Sequence, residues 1–302
     1  MTKNSPISIV CFGEILFDVF PNHKKIGGAP LNVAFRLNSL GINASIISRI
    51  GKDELGKEIR IFLEENSIAT QNIQEDKEFA TGSVLVALDE KGSASYTIKY
   101  PVAWDKISHS VEIENTVNKA DALVFGSLAS RDAVSLQTLL KLLKVSKYKI
   151  FDVNLRAPFY TKELLIDLMN QADFIKFNEE ELLEICGFFE TPFSTLEENI
   201  SFISKQTNTN EICVTKGSKG AVLLYEGKLF YNDGFSVTVA DTVGSGDSFL
   251  AGLLSQLLTT KNPQKALDFA CALGAIVATK EGANPKITTS EMEVLIQNKY
   301  IL

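Results

Sequence analysis

Histidine is scarce in this chain: among 302 residues only His23 and His109 carry an imidazole. Neither has a partner at metal-ligand spacing, so a histidine-based zinc site is excluded and both are expected at the surface. Cysteine is nearly as rare. Cys11, Cys186, Cys213 and Cys271 are far apart in apolar contexts, which rules out a disulfide framework and reads as buried reduced thiols. No basic run exists either; 30 Lys and Arg are mixed with 37 Asp and Glu for a net charge of −7. Nucleic acid and anionic membrane are therefore poor partners. The longest apolar stretch, Phe269 to Ala278, is about half the ~20 residues of a transmembrane helix. The N-terminal apolar run Ile7–Phe12 is too short for a signal peptide, so a cytoplasmic enzyme is expected.

Two common nucleotide-binding signatures are missing as well. Gly51-Lys-Asp-Glu-Leu-Gly56-Lys57-Glu58 approaches the P-loop pattern, but Glu58 stands where a magnesium-binding Ser or Thr belongs. Asp53 and Glu54 would add negative charge to a phosphate cradle. The first strand is not followed by Gly-x-Gly-x-x-Gly, so hydride transfer has no support. No internal repeat, low-complexity tract or flexible linker is present.

What the chain does contain is 45% hydrophobic residues, enough for a large core. Short β-branched runs alternate with amphipathic segments. Ile7–Phe12, Ala44–Ile50, Ala122–Phe125, Lys149–Val153, Phe174–Phe177 and Glu211–Thr215 read as buried strands, and Asp53–Asn66, Asp132–Ser146 and Lys162–Gln171 as helices. Such alternation predicts parallel βαβ units with helices on both faces of a sheet. One interval departs from it: Ser83–Asp89 and Ser95–Tyr100 flank a Glu90-Lys-Gly-Ser turn, a hairpin that is either an edge ornament or a flap. Later come a strand pair, Ala221–Tyr225 and Leu229–Tyr231, then helices from Gly246, from Pro263 to Glu281, and near Ser290–Asn298.

The densest chemistry lies in Asp241-Thr-Val-Gly-Ser-Gly-Asp247, where glycines open an apolar helix with a carboxylate in its first turn. Unpaired N–H groups and the helix dipole favour an anion there, and Gly244 and Gly246 let a phosphate approach the backbone. Asp247 is then placed to act as a general base on a hydroxyl, although Asp at a helix start is also a common cap. A second glycine element, Ile26-Gly27-Gly28-Ala29-Pro30-Leu31-Asn32, opens another helix more than two hundred residues earlier.

The two elements in this order resemble the signature motifs of the ribokinase-like, phosphofructokinase-B-type carbohydrate kinases, and the likeness runs from Val10 to about Ala283. The resemblance implies a three-layer α/β/α sandwich over residues 1–302 with a mainly parallel sheet and a small β-sheet lid. The lid would use approximately residues 15–26 and 79–104. It also implies ATP-dependent phosphorylation of a sugar hydroxyl with Mg2+. Asp247 would be the base, and Gly244, Ser245 and Gly246 the anion hole. Ser245 departs from the alanine usual in the family. Asp18, Gly27, Gly28 and Asn32 would hold the sugar, with Arg156 reaching substrate or γ-phosphate. Asn178 and Glu181 match the Asn-x-x-Glu motif that organises magnesium in its outer shell, and Thr215, Gly217 and Gly220 lie where the family's loop meets the nucleotide. Backbone near Asp241, Val243 and Gly282-Ala283 would form a site for a monovalent cation such as K+, and lid strands pair across a homodimer in many members.

Each of these residues also has a plain structural role open to it. Asp18 reads as a turn residue, Asn32 and Asn178 as helix-start caps, and Arg156 as a salt-bridge partner of Asp152 or a neighbouring carboxylate. The sugar is expected to be fructose: Tyr100-Pro-Val-Ala-Trp104-Asp105 resembles a fructokinase subgroup, and residues 81–108 contain no Arg for an acidic or phosphorylated sugar. Lys99 keeps 2-keto-3-deoxygluconate open, ribose is a further alternative, and a catalytically silent sugar-binding regulator is the reading from a different class.

Overall fold

Residues 6–88, 94–190 and 194–299 are described by the computed structural model, so the Glu90–Ser93 turn lies outside the described residues. In chain order the elements begin β1 (Ser8–Phe12), β2 (Leu16–Val19), β3 (Lys24–Gly27), α1 (Ala29–Ser39), β4 (Asn43–Gly51), α2 (Glu54–Glu65) and β5 (Ile73–Asp76). They continue with β6 (Gly82–Leu88), β7 (Ala94–Ile98), α3 (Val111–Lys119), β8 (Ala122–Gly126), α4 (Ala133–Val145), β9 (Lys149–Asp152), α5 (Lys162–Met169) and β10 (Phe174–Asn178). The rest are α6 (Glu179–Gly187), α7 (Leu196–Thr207), β11 (Glu211–Thr215), β12 (Ala221–Tyr225), β13 (Lys228–Asn232), α8 (Ser245–Thr260), α9 (Pro263–Ala278) and α10 (Thr289–Lys299). The helix expected to reach Glu281 thus ends three residues earlier, where Thr279 and Lys280 bond back to Ile276 and Val277 carbonyls.

The large sheet has the order β13-β12-β11-β10-β9-β8-β1-β4-β5 and is parallel from β11 to β5, with β12 and β13 antiparallel at one edge. Successive side chains of a strand point to opposite faces, and both faces are covered. Ile9 and Cys11 pack with α1, α2, α8 and α9, whereas Val10 and Phe12 pack with α3, α4, α5, α6 and α7. This is the expected three-layer sandwich, and all four cysteines are buried in it.

A smaller sheet, β3-β2-β6-β7, stands apart, with β2 and β6 parallel and its other pairs antiparallel. It contains the expected hairpin and occupies both segments expected for a lid. Since β2 and β3 connect β1 to α1, this sheet hangs beside the carboxyl end of β1. There β4 lies on one side and β8 on the other, and such a switch in strand order is where α/β sheets bind ligands. The near-P-loop is a strut. Asp53 caps α2 by accepting from the Gly56 N–H at 2.8 Å, and it also accepts from the Thr81 N–H at 2.8 Å and the Thr81 hydroxyl at 2.6 Å. A carboxylate that already fills the helix N-terminus leaves no phosphate cradle.

Candidate active site

Helix ends single out the site. Side chains of Asp53, Ser110, Asp132, Thr161, Asn178, Thr195 and Asn262 cap α2 to α7 and α9. Only α1 and α8 among these nine begin at a glycine, Gly28 and Gly244, with no side-chain cap. Both glycines have positive φ, 113° and 74°, and a Cβ would lie 2.4 Å from Glu14 O at Gly28 and 2.6 Å from the Ala283 backbone at Gly244. Glycine is therefore required at both positions; in α1 Pro30 has no N–H and the Ala29 N–H serves the Glu14 carboxyl, whereas amides in the first turn of α8 remain open to an anion.

These two helix starts meet. Asn32 in α1 donates from Nδ2 to Asp247 Oδ2 at 2.7 Å, and Asn284 Nδ2 donates to Asn32 Oδ1 at 2.8 Å. Arg36, one turn beyond Asn32 and 1% exposed, donates to Ser248 Oγ at 3.1 Å and to the Pro285 carbonyl at 3.0 Å. Motifs 215 residues apart in sequence are thus held by direct hydrogen bonds.

Asp247 is half-buried. Burial and then the Asp152 carboxylate push its carboxyl up to about 6, opposed by the Asn32 donor, Lys176 and Arg156. Lys176 Nζ bonds Asp152 Oδ1 at 2.9 Å, both side chains being buried. Burial favours the neutral amine of Lys176, but Asp152 and Glu181 outweigh it and keep the ammonium charged. Its Nζ lies 3.7 Å from where a Cβ of Gly246 would be, directly behind the α8 N-terminus. Positive charge, open amides and a carboxylate poised near neutrality suit transfer of an anionic group to a hydroxyl.

Glu14, at the exit of β1, is 3% exposed and pushed up to about 7 mainly by burial, with Asp247 adding to the rise and Arg156 opposing it. Asp18 on β2 is also raised by burial, while Arg156 and Lys25 counter it. Asp18 Oδ2 would touch a Cβ at Gly27, 3.0 Å away, so these two line one wall. Arg156 is exposed and donates to its neighbour's carbonyl, Leu155 O, at 2.8 Å. The salt bridge that was open to Arg156 at Asp152 does not form, and Lys176 holds Asp152 Oδ1 instead. Arg156 instead acts at a distance on Glu14, Asp18 and Asp247.

Further along the same sheet edge, Asn178 and Glu181 cap each other: Asn178 Oδ1 accepts the Glu181 N–H and Glu181 Oε2 accepts the Asn178 N–H, both at 2.8 Å. Glu181 Oε1 takes the Leu155 N–H at 3.0 Å, tying α6 to the loop after β9. Both carboxylate oxygens therefore hold backbone amides, an arrangement compatible with contact to a metal through water. Thr215 donates to Phe177 O at 3.4 Å. Gly217 has φ 57° with open space above it, whereas Gly220 faces the Asn232 carbonyl, 1.9 Å from where its Cβ would be.

Ser245 corrects one expectation. Its N–H and its hydroxyl both turn back to the Thr242 carbonyl, at 3.2 and 2.9 Å. Gly246 and Asp247 are thus the amides left ahead of the helix ladder, whose first bond runs from Ser248 N–H to Gly244 O. Asp241 accepts the Val243 and Gly282 amides at 3.0 and 2.9 Å, and Lys25 Nζ stands 3.9 Å from its Oδ2. Val243 is 45% exposed. Among the described residues no group of three or more His, Cys, Asp or Glu could hold a metal. His109 is not a free surface group, since it bonds Glu114 at 2.5 Å; His23 is exposed and stacks on Phe20.

At the base of the lid, Trp104 is fully buried in a short 3-10 turn pinned by Ser135, while Tyr96 and Tyr100 are exposed. Arg131, from the segment after β8, packs on Trp104, Tyr100 and Phe159 and forks onto the buried Asp105 carboxylate at 2.7 and 2.9 Å. An arginine therefore does lie at the lid's base, though already paired. Sequence reasoning missed Lys176, Asp152 as its partner, Glu14, Arg36, Asn284 and Arg131. Lys176 had a signal, a lone charge inside the apolar strand Phe174–Asn178; Asn284 had none.

Comparison with known proteins agrees with this geometry. The pfkB family carbohydrate kinase model matches residues 6–290. The chain is 28% identical over 322 residues to "Probable fructokinase-7" of Arabidopsis thaliana, covering 96% of this chain and 92% of that one. It is 28% identical over 297 residues to a fructokinase of Vibrio alginolyticus, covering 92% and 94%. An uncharacterised sugar kinase of Pyrococcus horikoshii in complex with ATP has a similar structure, with a TM-score of 0.81 at 26% identity, covering 95% and 99%. The protein belongs to the pfkB family of carbohydrate kinases and is a sugar kinase. No helix among the described residues is long and apolar enough to cross a membrane.

Proposed function

We propose that this kinase transfers the γ-phosphoryl group of ATP to a primary hydroxyl of fructose, with Asp247 as the base. The observation that carries the reading is the half-buried Asp247 carboxylate, raised to about 6 and held by Asn32 at the open N-terminus of α8. Asp247 takes the hydroxyl proton as the sugar oxygen attacks phosphorus in line with the departing ADP. The amides of Gly246 and Asp247, the α8 dipole and the Lys176 ammonium stabilise charge on the equatorial oxygens. Mg2+ bound to the nucleotide would neutralise phosphate charge; the water-mediated role left to Asn178 and Glu181 fits an ion that retains most of its waters. In this reading Thr215 and Gly217 meet the nucleotide, and Asp18, Gly27, Gly28 and Asn32 hold the sugar. A monovalent cation at Asp241 would have to share that carboxylate with two amides and Lys25.

Fructose is favoured because the sugar wall offers acceptors and amides for hydroxyls, and the arginine at the lid's base is consumed by Asp105. The relatives named fructokinase support the same choice. A single domain over residues 1–302 and a homodimer through the lid belong to this reading, the latter supported by exposed Leu85 and Tyr96 on the small sheet. An ADP-release assay over a sugar panel tests the substrate: fructose should give the highest kcat/KM, with ribose and 2-keto-3-deoxygluconate well behind. Higher efficiency on 2-keto-3-deoxygluconate would overturn the choice and make Arg156 or Lys99 the carboxylate anchor.

A further inference from the structure

Asn284 lies in the loop between α9 and α10, and its amide is only half satisfied. Nδ2 donates to Asn32 Oδ1 at 2.8 Å, while its own Oδ1 is buried and accepts no hydrogen bond among the described residues. A buried acceptor without a donor costs stability, so an apolar side chain would be the easier occupant. What the amide supplies is orientation. The two ends of the Asn32 amide are nearly equal in size, and hydrogen bonds decide which way it faces. With Asn284 donating, Asn32 turns its oxygen to the loop and its NH2 to Asp247 Oδ2, 2.7 Å away. The opposite orientation would set a carbonyl oxygen against a carboxylate.

We propose that Asn284 is a positioning residue of this kinase: it locks the Asn32 orientation that directs an N–H at the Asp247 carboxylate, leaving the second carboxylate oxygen for the sugar hydroxyl. The proposal rests on Asp247 being the base. The charged groups around Asp247 are Glu14 after β1, Asp152 and Arg156 at and beyond the end of β9, Lys176 on β10, and Arg36 on α1 beside Ser248. None of them bonds Asn32, so the Asn32 donor is the influence that Asn284 controls. That donor favours the ionised base; losing it makes Asp247 hold its proton to higher pH.

Two variants test this. Asn284→Asp keeps the shape but presents an acceptor to Asn32 Oδ1, and Asn284→Leu removes the donor without adding charge. For both, kcat/KM for the sugar is followed from pH 5 to 9 beside the KM for ATP and the melting temperature. The acid limb should move to higher pH in both variants, further in Asn284→Asp. There activity at pH 6 relative to pH 8.5 should fall roughly fivefold below the wild-type ratio, as a limb displaced by one pH unit from about 6 requires, with the KM for ATP within about twofold. A purely structural role would lower the melting temperature and scale activity equally at every pH. A folded variant of either kind with the wild-type acid limb overturns the proposal. Asp247→Asn separates the two readings: if it keeps turnover, the base assignment itself fails; if it is inactive while the Asn284 variants keep the wild-type limb, only the positioning role fails.

Discussion

Replacing Asp247 with Asn should inactivate the enzyme and stabilise the fold at the same time. The carboxyl titrates at about 6 in the folded protein, against about 4 for an ordinary aspartate in an unfolded chain. Between these values the folded state binds more protons than the unfolded one, so stability falls as pH rises through the window and stays lower above it. At ~1.4 kcal/mol per tenfold of proton affinity, ionised Asp247 destabilises the protein at pH 8 by up to about 3 kcal/mol. The water-facing edge of the carboxyl reduces that, and about 1–3 kcal/mol is a fair expectation. The amide introduced by Asp247→Asn resembles the protonated acid, can still accept from Asn32 through its carbonyl, and is free of this term. The variant's melting temperature at pH 8 should exceed that of the wild type by roughly 2–6 °C, with the gain shrinking as pH approaches 4. Turnover should drop by ~10²–10⁴-fold, since the base acts in the transition state. Calorimetric melts of ligand-free protein at pH 4.5 and 8, with ADP release at pH 8, decide the matter. A variant no more stable than wild type at pH 8 would refute the electrostatic account, and one keeping more than about a tenth of wild-type turnover would remove Asp247 from the mechanism.

Asp18→Ala should weaken sugar binding by ~2–13-fold, the worth of a hydrogen bond to a neutral hydroxyl, with ATP affinity little changed; calorimetry showing the reverse would exchange the two halves of the site. Arg131→Met strands the buried Asp105 carboxylate beneath the lid and should lower unfolding free energy by ~3–5 kcal/mol in guanidinium titration. A loss under about 1 kcal/mol would mean that the Arg131–Asp105 pair does not hold the lid's base to the core.

Local pattern was enough for most of the architecture. Ala122–Gly126 is apolar along its whole length, and Phe174–Asn178 is apolar but for Lys176 and the terminal Asn178, because both faces of the sheet are covered, and that continuity is visible in one dimension. The same holds for caps: Asp53 and Asn66, or Asp132 and Ser146, bound their helices because a cap satisfies orphan groups within a few residues. The glycine motifs were legible for a related reason, since Gly28 and Gly244 answer a backbone demand that no other residue meets. Less legible was the fate of charges. Asp152, one of the carboxylates open to Arg156, pairs with Lys176 instead, and the arginine at the lid's base arrived from Arg131, 26 residues beyond Asp105.

The sequence by itself determined most of the strands and helices, the two helix starts at glycine and the carboxylate in the second of them, because each depends on neighbours within one or two turns. Only the tertiary structure decided that Asn284, Asn32 and Asp247 form one hydrogen-bonded chain across separations of 252 and 215 residues. It also decided that Lys176 and Asp152 stand behind that chain and that Asp247 titrates at about 6. Burial and Coulomb energies depend on distances through space, and no spacing along the chain encodes them.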